Sequence, residues 1–343
     1  MKNWQSFHKL LRESNAGSCL DFSNLAHHYY KQLLEKPLEV ANMPERVIIV
    51  LDGQLANLPF DVFLKTPVKD GYCNYDLVNM DYVLKHHTLS YGYSANVLLE
   101  NNNTIYEQKG STPSFLGLAP TFEQINARYT NKFFPPLDSM EVINIAKLYK
   151  NSLLLMGDSA IDSLFRLHYQ DYDIIHLSTH ADQNGEDVRI YLTDSPLVGE
   201  ALRGFSFNAS LIVLSACETG LGELKQGEGI MSLARNLSIG GTPSVLMSLW
   251  SVPGNSTSDL MFHFHDHLKN GKGKDEALRL AKLDYLETSK EQKPFYWAAF
   301  VSIGNTDPLF SSRLSWWWAW PLLGIGLIFV FVEKRRKANE SVG

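Results

Sequence analysis

Two short, largely apolar runs constrain this chain more than anything else in it. Residues 174–177 and 211–214 are each preceded by polar residues and followed by small ones. Runs of this length and composition fit strands buried on both faces of a parallel sheet. Each leads to a reactive side chain, His180 after the first and Cys217 after the second. If the two strands are neighbours, both residues emerge at the carboxyl edge, where open α/β sheets build their sites. A thiol is a weak nucleophile until it loses its proton, and an imidazole can accept that proton and return it to a leaving group. The pair therefore suits a cysteine hydrolase, with the Cys217 amide able to donate to an oxyanion. Spacing alone leaves a second reading open, in which Cys217 is a small core residue after a buried strand.

Four motifs occur in order: H-L-S-T-H-A at 176–181, L-S-A-C-E-T-G at 214–220, G-E-G-I-M-S-L-A-R at 227–235 and S-V-L-M-S-L-W-S-V at 244–252. Together they resemble a CHAT domain, a caspase-like family related to separase, and weaker similarity runs from about residue 46 to 304. The resemblance implies a three-layer α/β/α fold with a mostly parallel central sheet. It carries the family's dyad onto His180 as general base and Cys217 as nucleophile, with the amides of Cys217 and Ala181 as oxyanion donors. It implies a protein substrate, no metal or organic cofactor, and latency until a partner or defence signal aligns the site. Glu218, Glu228, Trp250, Pro253 and Gly254 are the expected substrate contacts. Two departures stand out. Pro253-Gly254-Asn255 replaces the acidic residues that many members carry there, so cleavage after Arg or Lys is expected to be weak. Residues 1–45 read as polar helix rather than the tetratricopeptide repeats common in the family, so partner sensing is expected elsewhere. A non-catalytic adaptor at the membrane is the alternative, and a hydrolase acting on small acyl or amide substrates a weaker third.

Charge narrows the partners. A net charge of −6 argues against a nucleic-acid binder working through a broad basic surface. The three cysteines show neither metal spacing nor a disulfide framework, which suits a reducing compartment. Residues 316–332 are 17 positions without a charge, and a helix of that length spans roughly 26 Å. Four tryptophans open this stretch and Glu333-Lys-Arg-Arg-Lys337 closes it, the pattern of an interfacial belt and a basic stop. A transmembrane helix is thus expected at 315–333, with a basic tail at 334–343 and a lipid bilayer as partner. The tail favours a cytoplasmic carboxyl end. The lack of an amino-terminal signal instead favours a cytoplasmic catalytic part, and that orientation is preferred.

Along the chain, residues 1–100 are expected to form an amino-terminal scaffold half and 115–306 the catalytic half. Residues 47–51 and 82–91 read as strands able to pair. Strand and helix then alternate from 115 to 177, implying crossovers and helices on both faces. Residues 121–138 read as a polar surface loop. Residues 244–252 and 294–303 read as strands. Asp182 is a candidate to orient an imidazole, with an ordinary loop aspartate as the blander reading. His263, His265 and His267 read as a solvated helix face lacking a further metal ligand.

Overall fold

The computed structural model describes residues 3–12, 16–50, 55, 58–68, 77–94, 112–123, 134, 137–184, 187–218 and 228–310. Three helices open the chain, α1 (Asn3–Arg12), α2 (Ala16–Tyr29) and α3 (Lys36–Val40), the last two joined by a π-helical segment, Tyr30–Glu35. Then come β1 (Arg46–Val50), a 3-10 turn (Phe60–Val62), α4 (Val83–His86) and β2 (Thr88–Gly92). The chain continues through β3 (Phe115–Ala119), α5 (Met140–Ala146), β4 (Ser152–Met156), α6 (Asp162–His168), β5 (Ile174–Asn184), β6 (Asp187–Tyr191), β7 (Pro196–Val198), β8 (Leu211–Glu218), α7 (Glu228–Ile239) and β9 (Ser244–Ser248). Helices α8 (Gly254–Lys269), α9 (Lys274–Thr288) and α10 (Pro294–Trp297) precede the last strand, β10 (Phe300–Gly304).

All the strands belong to one sheet, ordered β1-β2-β10-β9-β8-β5-β3-β4, with the β6–β7 arm paired to the end of β5. The fold is mixed α/β with a mostly parallel central sheet. Its one antiparallel junction in the main path is β9 against β10, so β1, β2 and β10 run opposite to the other five. The central strands are buried on both faces: Ile174, Ile175 and each residue of 211–214 are at most 1% exposed. That is why their sequences read as apolar runs rather than alternating ones.

Strand β5 is long because it serves three partners. It pairs with β3 through Leu177, with β8 through Ala181, and with β6 from Ala181 onward. Chain order reverses around β3, since β4 lies on one side of it and β5 on the other. Reversals of this kind open the crevice in which α/β sheets place ligands. Helix α7 ends at the paired glycines 240 and 241. Gly241 has φ +108°, and a Cβ there would meet the Phe207 carbonyl at 2.8 Å, so only glycine lets the chain turn into β9.

Two expected strands are partly helical. Residues 82–91 open as the short helix α4, and only 88–92 extend beside β1, in parallel. Residues 294–303 likewise begin as α10, where Trp297 is fully buried. Aromatic and β-branched content marks burial in both segments, and tertiary packing then decides the backbone. Among the described residues no helix is long and apolar enough to cross a membrane. The expected span at 315–333 and the tail at 334–343 lie outside the described residues.

Candidate active site

His180 and Cys217 are register partners in the parallel β5–β8 pair. Adjacent strands lie about 4.8 Å apart, so 37 residues of separation in the sequence close to one strand spacing. The side chains of Cys217, Glu218 and Glu228 lie outside the described residues, as does that of Asp182. Their backbones place Glu218 opposite Ala181 and Glu228 at the start of α7.

His180 is only 3% exposed. Its ring meets Phe122 edge-on at a centroid distance of 4.4 Å and Phe134 at 5.5 Å, and Phe134 packs on Tyr191 at 4.5 Å. Phe122, Phe134 and Tyr191 form a small cluster of their own. This corrects the reading of 121–138 as a surface loop at two of its aromatics, since Phe122 and Phe134 roof the imidazole. Single-sequence polarity averages over the segment and hides them.

Beside His180 lies a cavity of about 30 Å³ lined by Glu141, Ser178, Ser215, Val252, Gly254 and Asp138, among others. Of the expected substrate contacts, Gly254 reaches it. Trp250 does not: its ring is buried, stacks on Phe295, and its indole N–H donates to the Phe295 carbonyl at 2.9 Å. It supports the loop from beneath. Pro253 is exposed at the N-cap of α8 and is also absent from the cavity wall. Ala181 is bracketed by Ile190 of β6 and Glu218 of β8, which turns its amide toward a neighbouring strand rather than a substrate. Pairing of β8 with β9 ends at Leu214, leaving the Cys217 amide bracketed on one side only.

A buried polar chain backs the cavity. The Nε2 of His176 donates to Glu141 Oε1 at 2.8 Å, and the Ser178 hydroxyl donates to Glu141 Oε2 at 2.9 Å. His176 Nδ1 lies 3.1 Å from His265 Nε2, and His265 Nδ1 lies 2.7 Å from the Tyr149 hydroxyl. His176 and His265 are both fully buried. Burial, with His176 beside it, holds His265 well below the ordinary imidazole range, because a charged ring would be desolvated and repelled there. The solvated-face reading therefore fails for His265, which points into the core. His263 and His267 stay half-exposed and pair with Asp284 of α9. Among the described residues no group of three or more ligating side chains is arranged to hold a metal.

The sequence reading missed Glu141, Asp138 and Ser215. Asp138 accepts from the Met140 amide at 2.9 Å at the start of α5, and its Cβ lies 3.7 Å from where a Cβ on Gly254 would sit. A helix-capping acid was the only local signal it gave. Cys19 is disulfide-bonded, against the expectation of no disulfide framework. The remaining cysteines are Cys73 and Cys217, and connectivity cannot be read from spacing.

The CHAT domain model matches residues 23–305. No curated protein matches this chain. Among solved structures, the Arg-specific cysteine proteinase gingipain R is similar at 11% identity and a TM-score of 0.49, covering 86% of this chain and 68% of that one. A complex of Porphyromonas gingivalis RgpB pro- and mature domains is similar at 12% identity and a TM-score of 0.47, covering 90% and 77%. The Saccharomyces cerevisiae separase–securin complex follows at 13% identity and 0.44. There the chain covers 73% of itself but spans only 15% of its counterpart.

Proposed function

Because the chain belongs to the CHAT domain family, we propose that it is a caspase-like cysteine endopeptidase acting through Cys217 and His180. The observation that carries this reading is the register of the two residues across β5 and β8. His180 takes the thiol proton, and the thiolate attacks a peptide carbonyl. The Cys217 amide donates to the developing oxyanion. The carbon–nitrogen bond then breaks as His180 gives its proton to the leaving amine, and water, deprotonated by His180, releases the acyl group as a carboxylate.

Latency belongs to the same reading, and the narrowness of the site supports it. The space beside His180 is about 30 Å³, room for a water or two until it widens, while Phe122 and Phe134 cover the imidazole. Something must open the site, and an activating protein partner is the agent we propose. A bilayer anchor through 315–333 completes the proposal.

The test compares new peptide termini in cells expressing the chain and its Cys217→Ala variant. Termini that depend on Cys217 support a peptidase. The adaptor reading is favoured instead if Cys217 reacts with iodoacetamide no faster in the intact protein than in His180→Ala. The peptidase reading also requires a free Cys217, hence a Cys19–Cys73 disulfide, and peptide mapping of unreduced protein checks this. A Cys19–Cys217 bond would sink it.

A further inference from the structure

Below the His180–Cys217 pair, the same two strands repeat the arrangement two residues earlier. Ser178 and Ser215 are register partners, and both line the cavity beside His180. They differ in what they bond. The Ser178 proton goes to Glu141, that of Thr179 to the Tyr191 carbonyl, and that of Thr257 to the Pro253 carbonyl at 3.4 Å. The Ser215 hydroxyl, on a residue only 6% exposed, has no hydrogen-bond partner. An orphaned buried hydroxyl is uncommon and unfavourable, and a ligand group that fills the cavity relieves it.

The chemistry of that group follows from the wall. Two residues of strand rise put Ser215 about 6–7 Å below the level of Cys217. A side chain entering beside the attacked carbonyl therefore needs several bonds to reach it. The Ser178, Thr179 and Thr257 protons are already committed and Glu141 offers only acceptors, whereas the Ser215 hydroxyl can both donate and accept, so the entering tip that fits best carries a donor and an acceptor together. Both Glu141 oxygens already accept, from His176 and Ser178, residues 253–255 carry no acid, and the other carboxylate of the wall, Asp138, is exposed to water and accepts from the Met140 amide, so little buried negative charge is left unpaired for a cation. We propose that Ser215 is a specificity-determining residue whose hydroxyl binds the carboxamide tip of a glutamine-like side chain on the acyl side of the scissile bond. This rests on the peptidase reading.

The experiment treats intact cells in which Cys217-dependent peptide termini have appeared, so that the activator is present, with three cell-permeant peptidyl acyloxymethyl ketones, identical except for glutamine, leucine or arginine next to the ketone. Labelling of Cys217 is timed by mass spectrometry in the wild type, Ser215→Ala and His180→Ala. Ser215→Ala deletes an oxygen that makes no internal bond, so the fold is expected to survive, and circular dichroism confirms it. The glutamine probe is expected to react about tenfold faster than the leucine probe in the wild type, and at a similar rate to it in Ser215→Ala. An unchanged ratio in Ser215→Ala, or a wild-type preference for leucine or arginine, overturns the proposal alone, provided labelling still depends on His180. Labelling no faster than in His180→Ala for all three probes overturns the peptidase reading and the proposal with it.

Discussion

The two halves of the sheet bury polar groups to different ends. On the amino-terminal side, the ammonium of Lys282 on α9 meets Asp61 of the 3-10 turn and also donates to the Phe300 carbonyl at 2.7 Å. Both residues are nearly inaccessible, and the pair is closed, tying the turn to α9 and β10. On the His180 side, the chain from Tyr149 through His265 and His176 to Glu141 ends at Ser178 on a cavity wall, beside an unsatisfied Ser215. A closed buried pair holds elements together, whereas an open-ended network leaves capacity for a ligand.

The sharpest break between the halves is chemical. Cys217→Ala is expected to abolish proteolysis, and His180→Ala to slow Cys217 labelling by ketone probes at least a thousandfold. Cys217→Ala should not move the urea midpoint by more than a small fraction of the total stability, whereas His180→Ala, which leaves a gap under Phe122 and Phe134, should lower it. A large loss of stability in Cys217→Ala would assign that residue to the core and favour the adaptor.

Lys282→Met probes the other half. It leaves Asp61 buried and unpaired, and urea unfolding should show a loss of about 3–5 kcal/mol. Adding Asp61→Leu should recover most of that loss. If the double variant is no better than the single, the pair is more than a tether.

Glu141→Gln keeps the size of the side chain but disturbs acceptors for two buried donors. A loss of about 1–3 kcal/mol is expected. Unlike Lys282→Met it should also alter probe selectivity at Cys217, and equal selectivity in the two would erase the contrast between the halves.

The smallest effect is in pH. His265 stays neutral in the folded protein while its unfolded counterpart gains a proton near pH 6.5. The unfolded state thus binds more protons below that pH, and stability falls as pH drops through it, by up to about 1.4 kcal/mol per pH unit. Above pH 6.5 this contribution is flat. His265→Gln should lower the slope of urea midpoints between pH 5 and 7 without abolishing it, because burial also holds His87 below the ordinary imidazole range.

Much of the scaffold was legible in the sequence. The runs at 115–120, 151–156 and 244–252 read as strands, and the stretches 227–239 and 275–288 as helices, because burial imposes a local period that composition preserves. The site was legible only in its two reactive residues. Phe122 and Phe134 sat unnoticed in a polar segment, and Trp250 carried the look of a substrate contact while its indole was committed to Phe295. His265 shared a helix with His263 and His267, yet it alone points inward. Which face of α8 is buried depends on α5 and β5, which lie far away in the chain.

The sequence by itself determined that buried strands end near His180 and Cys217, since a strand covered on both faces must be apolar throughout and its exit marks an edge. Tertiary structure alone decided that those strands adjoin in register, that the sheet reverses between β9 and β10, and that Glu141, His176 and His265 meet across 35 and 89 residues. Contacts over such separations leave no periodicity in the chain. They arise from how the elements pack, and only the folded arrangement specifies them.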